Sequence, residues 1–288
     1  MFQKATKEKS KLRLAIAAQS GAGKTKTSLR IASGMSDSIA LIDTERGSAS
    51  KYAGDHKFDV CDLDDHSVQS YVSAINFASE QGYEVLIIDS LSHAWHQLLQ
   101  EVEKIAKAKY RGNTWSAWSE GTPIQKTLVN AILNYPGHVI ATLRTKTEWI
   151  TETTNNGKSR PVKVGLAPEQ GKGIEYEFDM LIEMNHDHFA TFAKDRTGKY
   201  QDVTIEKPGE DFGKELIEWL SDGATRQEVL ESQLIDYEAM LEASNDIKEL
   251  HVNWNKAGKW AQSQGFGFEQ LESVKDQMKE KLTQENVA

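Results

Sequence analysis

Eight consecutive residues, Ala18-Gln19-Ser20-Gly21-Ala22-Gly23-Lys24-Thr25, place two glycines, an ammonium and a hydroxyl where a bound phosphate chain needs them. Without a Cβ at 21 and 23, the backbone N–H groups of Ser20, Gly21, Ala22 and Gly23 can close around a β-phosphate. Lys24 reaches β- and γ-phosphate oxygens, the Thr25 hydroxyl can ligate Mg²⁺, and Lys26 stands in the first turn of the helix that follows. A turn rich in glycine with no ligand is the bland rival. Ala18 stands where the common pattern has glycine, and a small side chain fits there.

Three more groups could do chemistry beside such a loop. Glu45, in Asp43-Thr-Glu-Arg-Gly47, follows an apolar run and could polarise an attacking water. A polar surface turn would look the same. Asp89 closes Val85-Leu-Ile-Ile-Asp89 and would hold the Mg²⁺ shell opposite Thr25. Thr142 and Arg144, at the end of His138–Leu143, stand where a γ-phosphate sensor could be. Lys194 and Arg196, two apart on an extended segment, face the same way and could reach a phosphate, including one held by a neighbouring subunit.

The elements that must position these groups alternate between short apolar runs and amphipathic stretches. Leu12–Ala18, Ser38–Asp43, Phe58–Leu63, Val85–Asp89 and His138–Leu143 read as strands. Lys24–Ser33, Ser67–Gln81 and Leu91–Lys109 read as helices between them, and Gly82 ends the second. Thr122-Pro123 is expected to cap a helix running to Tyr135. Such alternation predicts an α/β fold with a mainly parallel sheet.

Beyond Arg144, Thr147–Thr153 and Lys158–Val164 flank Thr154-Asn-Asn-Gly157, a hairpin signal. From Arg144 to Lys172 stand six bases (Arg144, Lys146, Lys158, Arg160, Lys163, Lys172) and three acids (Glu148, Glu152, Glu169). In an acidic protein this local excess marks a candidate contact to single-stranded DNA; a solvated hairpin is the alternative. Tyr110–Gly121, with Arg111, Trp115 and Trp118, could stack on unpaired bases, or its tryptophans could pack under the loop or at a subunit contact. Tyr176–Met184 and His188–Ala193 read as strands joined by Asn185-His-Asp187, and a turn explains His186 and His188 better than a metal site. His93 and His96 likewise lack a third ligand at sensible spacing. Asp211–Ser221 is expected to be a helix closing the main domain.

The 288 residues divide into a basic tail over 1–11, a core over 12–222 and a small helical module over 223–288. That module reads as helices 226–243, 246–263 and 269–284, suited to protein contact. Net charge is −9, which excludes a protein that coats nucleic acid with its whole surface. With Cys61 the single cysteine, no internal disulfide or cysteine zinc cluster forms. No apolar run approaches the ~20 residues of a membrane span. Without a secretory leader, a cytoplasmic place is expected.

Taken in order, Ser20–Thr25, Leu41–Glu45, Val85–Ser90, Val139–Arg144, Gly171–Asp179 and Lys194–Thr197 resemble the RecA-like ATPases. They resemble more closely the phage RecA-related ATPases linked to single-strand annealing, the compact phage AAA-type nucleotide-binding proteins. The likeness covers about Leu12 to Leu220. It implies a RecA-like core with an ATP–Mg²⁺ site in which Glu45 activates water. It implies that Lys194 and Arg196 act across a subunit interface, so that the chain assembles as a ring or filament. It places single-stranded DNA on the loop after Arg144. RecA-like proteins carry glutamine where this chain has Thr142, so their DNA coupling is not carried over unchanged. A single-strand-binding or recombination protein is an expected partner of the helical module, and a phage-encoded chain would work in the host cytoplasm. An NTPase that regulates a protein partner without DNA, and a nucleotide-stabilised scaffold, remain open alternatives.

Overall fold

The central strands are mostly apolar and buried at every position along Arg13–Ala18, Ile39–Asp43 and Val85–Asp89, which means that both faces of the sheet are covered. The computed structural model describes residues 9–153, 159–171 and 173–285, the side chains of 147–166 and 285 excepted. The core runs β1 (Arg13–Ala18), α1 (Lys24–Met35), β2 (Ile39–Asp43), β3 (Asp59–Asp62), α2 (Val68–Glu80), β4 (Val85–Asp89), α3 (Leu91–Lys109), α4 (Thr114–Leu133) and β5 (His138–Thr153). It continues through β6 (Ser159–Pro168), α5 (Ile174–Glu177), β7 (Met180–Met184), β8 (Phe189–Asp195), β9 (Thr204–Glu206) and α6 (Glu210–Ser221).

Sheet order is β3-β2-β4-β5-β1-β7-β8-β9. The strands from β3 to β7 pair in parallel, and β7, β8 and β9 pair antiparallel. Alternate residues of each strand supply two cores. Leu14, Ile16, Leu41 and Ile87 pack with α1 and α6 on one face. Ala15, Ile42, Ile88 and Val139 pack with α2, α3 and α4 on the other. Because the strands are parallel, all their C-terminal ends open on one sheet edge, the place where such folds bind ligands.

Three expectations are corrected. Tyr110–Gly121 is not a loop before a helix capped at Thr122. α4 begins at Thr114, where the Asn113 side chain accepts from Ser116 N–H at 3.2 Å, and runs straight through Pro123. Proline forfeits one helical hydrogen bond, yet Ala117, Gly121, Leu128 and Ile132 are buried along the helix on both sides of it. Trp118 stacks on Trp95 at 5.5 Å, whereas Trp115 is 88% exposed. Second, β5 does not stop at Leu143 but continues as a single strand to Thr153 and pairs with β6. The hairpin tip at 154–158, and Lys172, lie outside the described residues. Third, Tyr176 belongs to the short helix α5, and β7 starts only at Met180. In addition, β9 is a strand for which the sequence carries no signal.

The chain divides after Leu220. In the second unit α7 (Arg226–Glu242), α8 (Ile247–Gln264) and α9 (Phe268–Glu285) close over Leu234, Leu241, Trp260 and Leu271. Thr225 and Glu228 form a reciprocal cap at the start of α7, and the Lys9 N–H donates to Ala224 O at 2.9 Å. Among the described residues no helix is long and apolar enough to cross a membrane.

Candidate nucleotide site

The loop between β1 and α1 turns through Gly21 (φ 81°) and Gly23 (φ 87°), both in the left-handed region that side chains other than glycine adopt at a cost. Gly23 is the N-cap of α1 and offers no side chain to the helix's first N–H groups, which remain available to an anion. Lys24 Nζ donates to Ala18 O at 3.2 Å and Gln19 O at 3.0 Å, so its ammonium lies at the loop's mouth. Burial pushes this ammonium below the usual lysine range, against the opposing pull of Asp89 and Glu45.

Asp89 reaches the same place from the end of β4. One carboxylate oxygen accepts from the Thr25 hydroxyl and the other from the Thr142 hydroxyl. The residue is 1% exposed, and burial raises its pKa above the ordinary carboxylate value, opposed by those two hydroxyl bonds. A buried carboxylate beside a hydroxyl, both hard oxygen donors, suits a small divalent cation such as Mg²⁺. Thr142 is therefore a partner of Asp89, fully buried at the centre of the sheet edge.

Glu45 is positioned by a turn that its neighbour builds. Asp43 Oδ1 accepts from Glu45 N–H at 2.6 Å and Oδ2 from Ala49 N–H at 2.9 Å. Arg46 (φ 56°) and Gly47 (φ 75°) reverse the chain between them. The Glu45 carboxylate then meets Arg144, whose Nη2 donates to Oε1 at 2.8 Å. Arg144 is itself anchored through its N–H, which donates to Ser92 Oγ at 2.9 Å. Thr44 accepts from Ser90 N–H at 2.9 Å and contacts His93 Nδ1 at 2.7 Å, while His93 stacks on His66 at 4.8 Å. Burial, and then Arg144, push His93 down to about 4, so it stays neutral beside Glu45.

Ser20, Gly21, Gly23, Lys24, Thr25, Glu45, Asp89 and Arg144 thus share one cavity of about 250 Å³, which Lys51 and Tyr52 also line. Sequence patterns gave no warning of Lys51 or Tyr52, nor of Asp43 as the organiser of the Glu45 turn. The turn expected at Asn185–Asp187 is there after β7, but sequence patterns gave no sign of what it touches. There the His186 ring meets Gln19 Oε1 at 3.0 Å, and His188 Nδ1 donates to Ala22 O at 3.1 Å. Both histidines brace the phosphate loop, and among the described residues no group of three metal-ligating side chains forms.

Lys194 and Arg196 are not brought to this cavity. Lys194 Nζ donates to the carbonyls of Glu175 and Tyr176, both at 2.9 Å, and Arg196 pairs with Asp179 at 3.0 Å. In the β7–β8 register Lys194 stands opposite Leu181, near the start of β7, while the phosphate loop leaves β1 beside Met184 at its other end.

The AAA domain family model matches residues 10–210, which is most of the chain. The chain belongs to the AAA domain family. The matched span holds the mixed α/β core, its mostly parallel sheet and the whole cavity just described. Membership supports a P-loop nucleotide-binding domain of the ATPase class, and domains of this family generally bind ATP with Mg²⁺. No curated protein matches the chain.

Proposed function

We propose that this AAA domain is a RecA-like, Mg²⁺-dependent ATPase that binds single-stranded DNA in phage recombination or annealing, with an active site shared between subunits. The observation that carries the reading is the Glu45–Arg144 ion pair. Arg144 belongs to β5, the strand that runs on without a break into the β5–β6 arm. The residue that neutralises the candidate base is thus covalently part of the candidate DNA-contacting element.

In this reading the backbone N–H groups of Ser20–Gly23 and the first turn of α1, with Lys26, hold the triphosphate, and Lys24 offsets its charge. Thr25 and Asp89 would hold Mg²⁺, which would supply charge neutralisation to the phosphates. A γ-phosphate entering beside Arg144 competes with Glu45 for the guanidinium. Glu45 is then free to accept a proton from the attacking water. Lys194 and Arg196 cannot serve the phosphate loop of their own chain. The three ladder positions from Leu181 to Met184 amount to roughly 10 Å along the sheet, and the donors point to the Tyr176 carbonyl. A second copy in a ring or filament would present them to the γ-phosphate, where cations act on developing charge.

The direct test is affinity for a fluorescent single strand with and without a non-hydrolysable ATP analogue. ATP-dependent affinity is expected, and no binding in either state would overturn the DNA half of the proposal. Turnover that requires Lys24 but ignores DNA would instead favour a protein-regulated NTPase acting through α7–α9.

A further inference from the structure

The helical unit lies beyond the 10–210 span that the family match covers, and its helices differ in the faces they turn away from their shared core. α7 buries Val229, Leu234, Tyr237 and Leu241. Its opposite side is centred on Ile235, with Glu231, Glu238 and Glu242 within about 60° of helical rotation from it. The single base of α7, Arg226, falls on the other side of the helix and donates to Gln264. α8 is built with the opposite sign. It buries Leu250, Ala257, Gly258, Trp260 and Ala261, and its opposite side is centred on Val252, with Lys248, Lys256 and Lys259 within about 40°. Its single acid, Glu249, accepts from the Asn245 N–H at 2.9 Å.

Neither face is an ordinary solvated surface. α9 is one: its charges are of mixed sign, and Lys275 pairs with Glu272 at 3.7 Å and Asp276 at 2.9 Å. Among the described residues, Glu231, Glu238, Glu242, Lys248, Lys256 and Lys259 have no ion pair. Like charges three or four residues apart on one helix repel, so each face gains from an opposite one. In the middle of each stands a β-branched apolar side chain, Ile235 63% exposed and Val252 52% exposed. The spacing matches as well. On both helices a charge stands four residues before the apolar centre, another three or four after it and a third seven after it. By helical rise these offsets are roughly 5–6 Å and 10 Å.

We propose that the α7 face of one copy of this chain packs on the α8 face of another, Ile235 against Val252, with the glutamates around one meeting the lysines around the other. Because the two surfaces differ, a single contact leaves one of each kind free on the pair, so the contact is heterologous and repeats from copy to copy or closes a ring. One helix pair buries less than the ~1,200 Å² of a stable interface, so each contact is weak, and its exposed charges make it sensitive to salt. It uses neither nucleotide nor DNA and stands independently of the ATPase reading.

Sedimentation velocity on the full chain without nucleotide, over a range of concentrations at about 0.05 M and 0.5 M salt, tests it. Wild type is expected to associate at low salt and to dissociate at high salt. Two triple variants follow, one with Glu231→Lys, Glu238→Lys and Glu242→Lys, the other with Lys248→Glu, Lys256→Glu and Lys259→Glu. Each should lose about tenfold or more in self-association, because its two faces then carry the same sign. Their equimolar mixture should associate again, since the reversed α7 face of one meets the reversed α8 face of the other. The six side chains are exposed or half-buried, so thermal melts should match wild type and show that both variants are folded. Ile235→Ser and Val252→Ser, which leave every charge in place, should each weaken association as well. Wild type that stays monomeric, triple variants that associate as wild type does, or a mixture no better than its components would overturn the contact. Association that survives every one of these substitutions would place the interface between copies elsewhere and leave the shared ATP site untouched.

Discussion

Glu45 and Arg144 are 99 residues apart in sequence and 2.8 Å apart across the cavity, each partly exposed. If Glu45 is the base for water, Glu45→Gln should lower ATP turnover by about 10²–10⁴-fold, the usual worth of a general base, with nucleotide affinity nearly unchanged. Arg144→Ala should slow the same step. Because both residues act in one event, the double variant should be little worse than Glu45→Gln alone, and single-turnover rates over the four proteins measure that coupling. Fully additive losses would separate the two roles.

Asp89 gives a pH-dependent stability with a fixed sign. Its folded pKa is raised, with burial the first cause, so the unfolded chain releases this proton at a lower pH than the folded one. Stability is therefore lost as pH rises from the unfolded carboxylate value through the folded one. Asp89→Asn should melt above wild type at neutral pH without nucleotide, and that difference should shrink toward zero on acidification through the same interval. In Mg–ATP the order should reverse, since the variant loses the cation's carboxylate. Thermal melts across pH, with and without Mg–ATP, check both.

Close backbone approach between α1 and α6 sets a third expectation. A Cβ on Gly34 would lie 2.0 Å from Glu210 O, and one on Gly213 would lie 2.2 Å from Ile31 O. Backbone cannot yield as a flexible side chain does, so Gly34→Ala and Gly213→Ala should each cost about 1–3 kcal/mol or more. Denaturant unfolding should show lowered midpoints. Unchanged midpoints would mean that the two helices part easily.

For the β5–β6 arm the decisive variable is salt. Replacing Lys158, Arg160 and Lys163 by alanine should weaken single-strand binding. It should also reduce the slope of log affinity against log salt by about two, at ~0.7 per phosphate contact. A loss of affinity with an unchanged slope would point to a folding defect of the arm in place of lost phosphate contacts.

How much of this was legible in the sequence depends on distance along the chain. Ser20–Thr25 and Val85–Asp89 could be read because each packs its chemistry into consecutive residues next to a strand end. The Glu45–Arg144 pair and the bracing of Gln19 and Ala22 by His186 and His188 could not, since they exist only once β2, β5 and β7 align. Pro123 misled the reading of α4, because local propensity argues for a helix start there. The burial of Ala117 and Gly121 before it and of Leu128 after it overrides that preference. The full length of β5 was hidden for a related reason: Arg144 and Lys146 interrupt the apolar run that marks a buried strand.

The last expectation concerns Lys194 and Arg196. Their donors engage Glu175, Tyr176 and Asp179 at the start of β7, and burial followed by Arg196 lowers the Lys194 pKa. If a neighbouring copy uses these cations, Arg196→Ala should reduce turnover strongly while leaving nucleotide affinity intact, whereas Lys24→Ala should remove both. Mixing the two inactive proteins then supplies the decisive readout. A mixed assembly contains interfaces at which an intact phosphate loop meets an intact Arg196, so ATP turnover should reappear, at most about a quarter of wild type for random pairing, because one interface in four combines both intact halves. No recovery on mixing, in assemblies shown by sedimentation to contain both chains, would place these cations outside the chemistry.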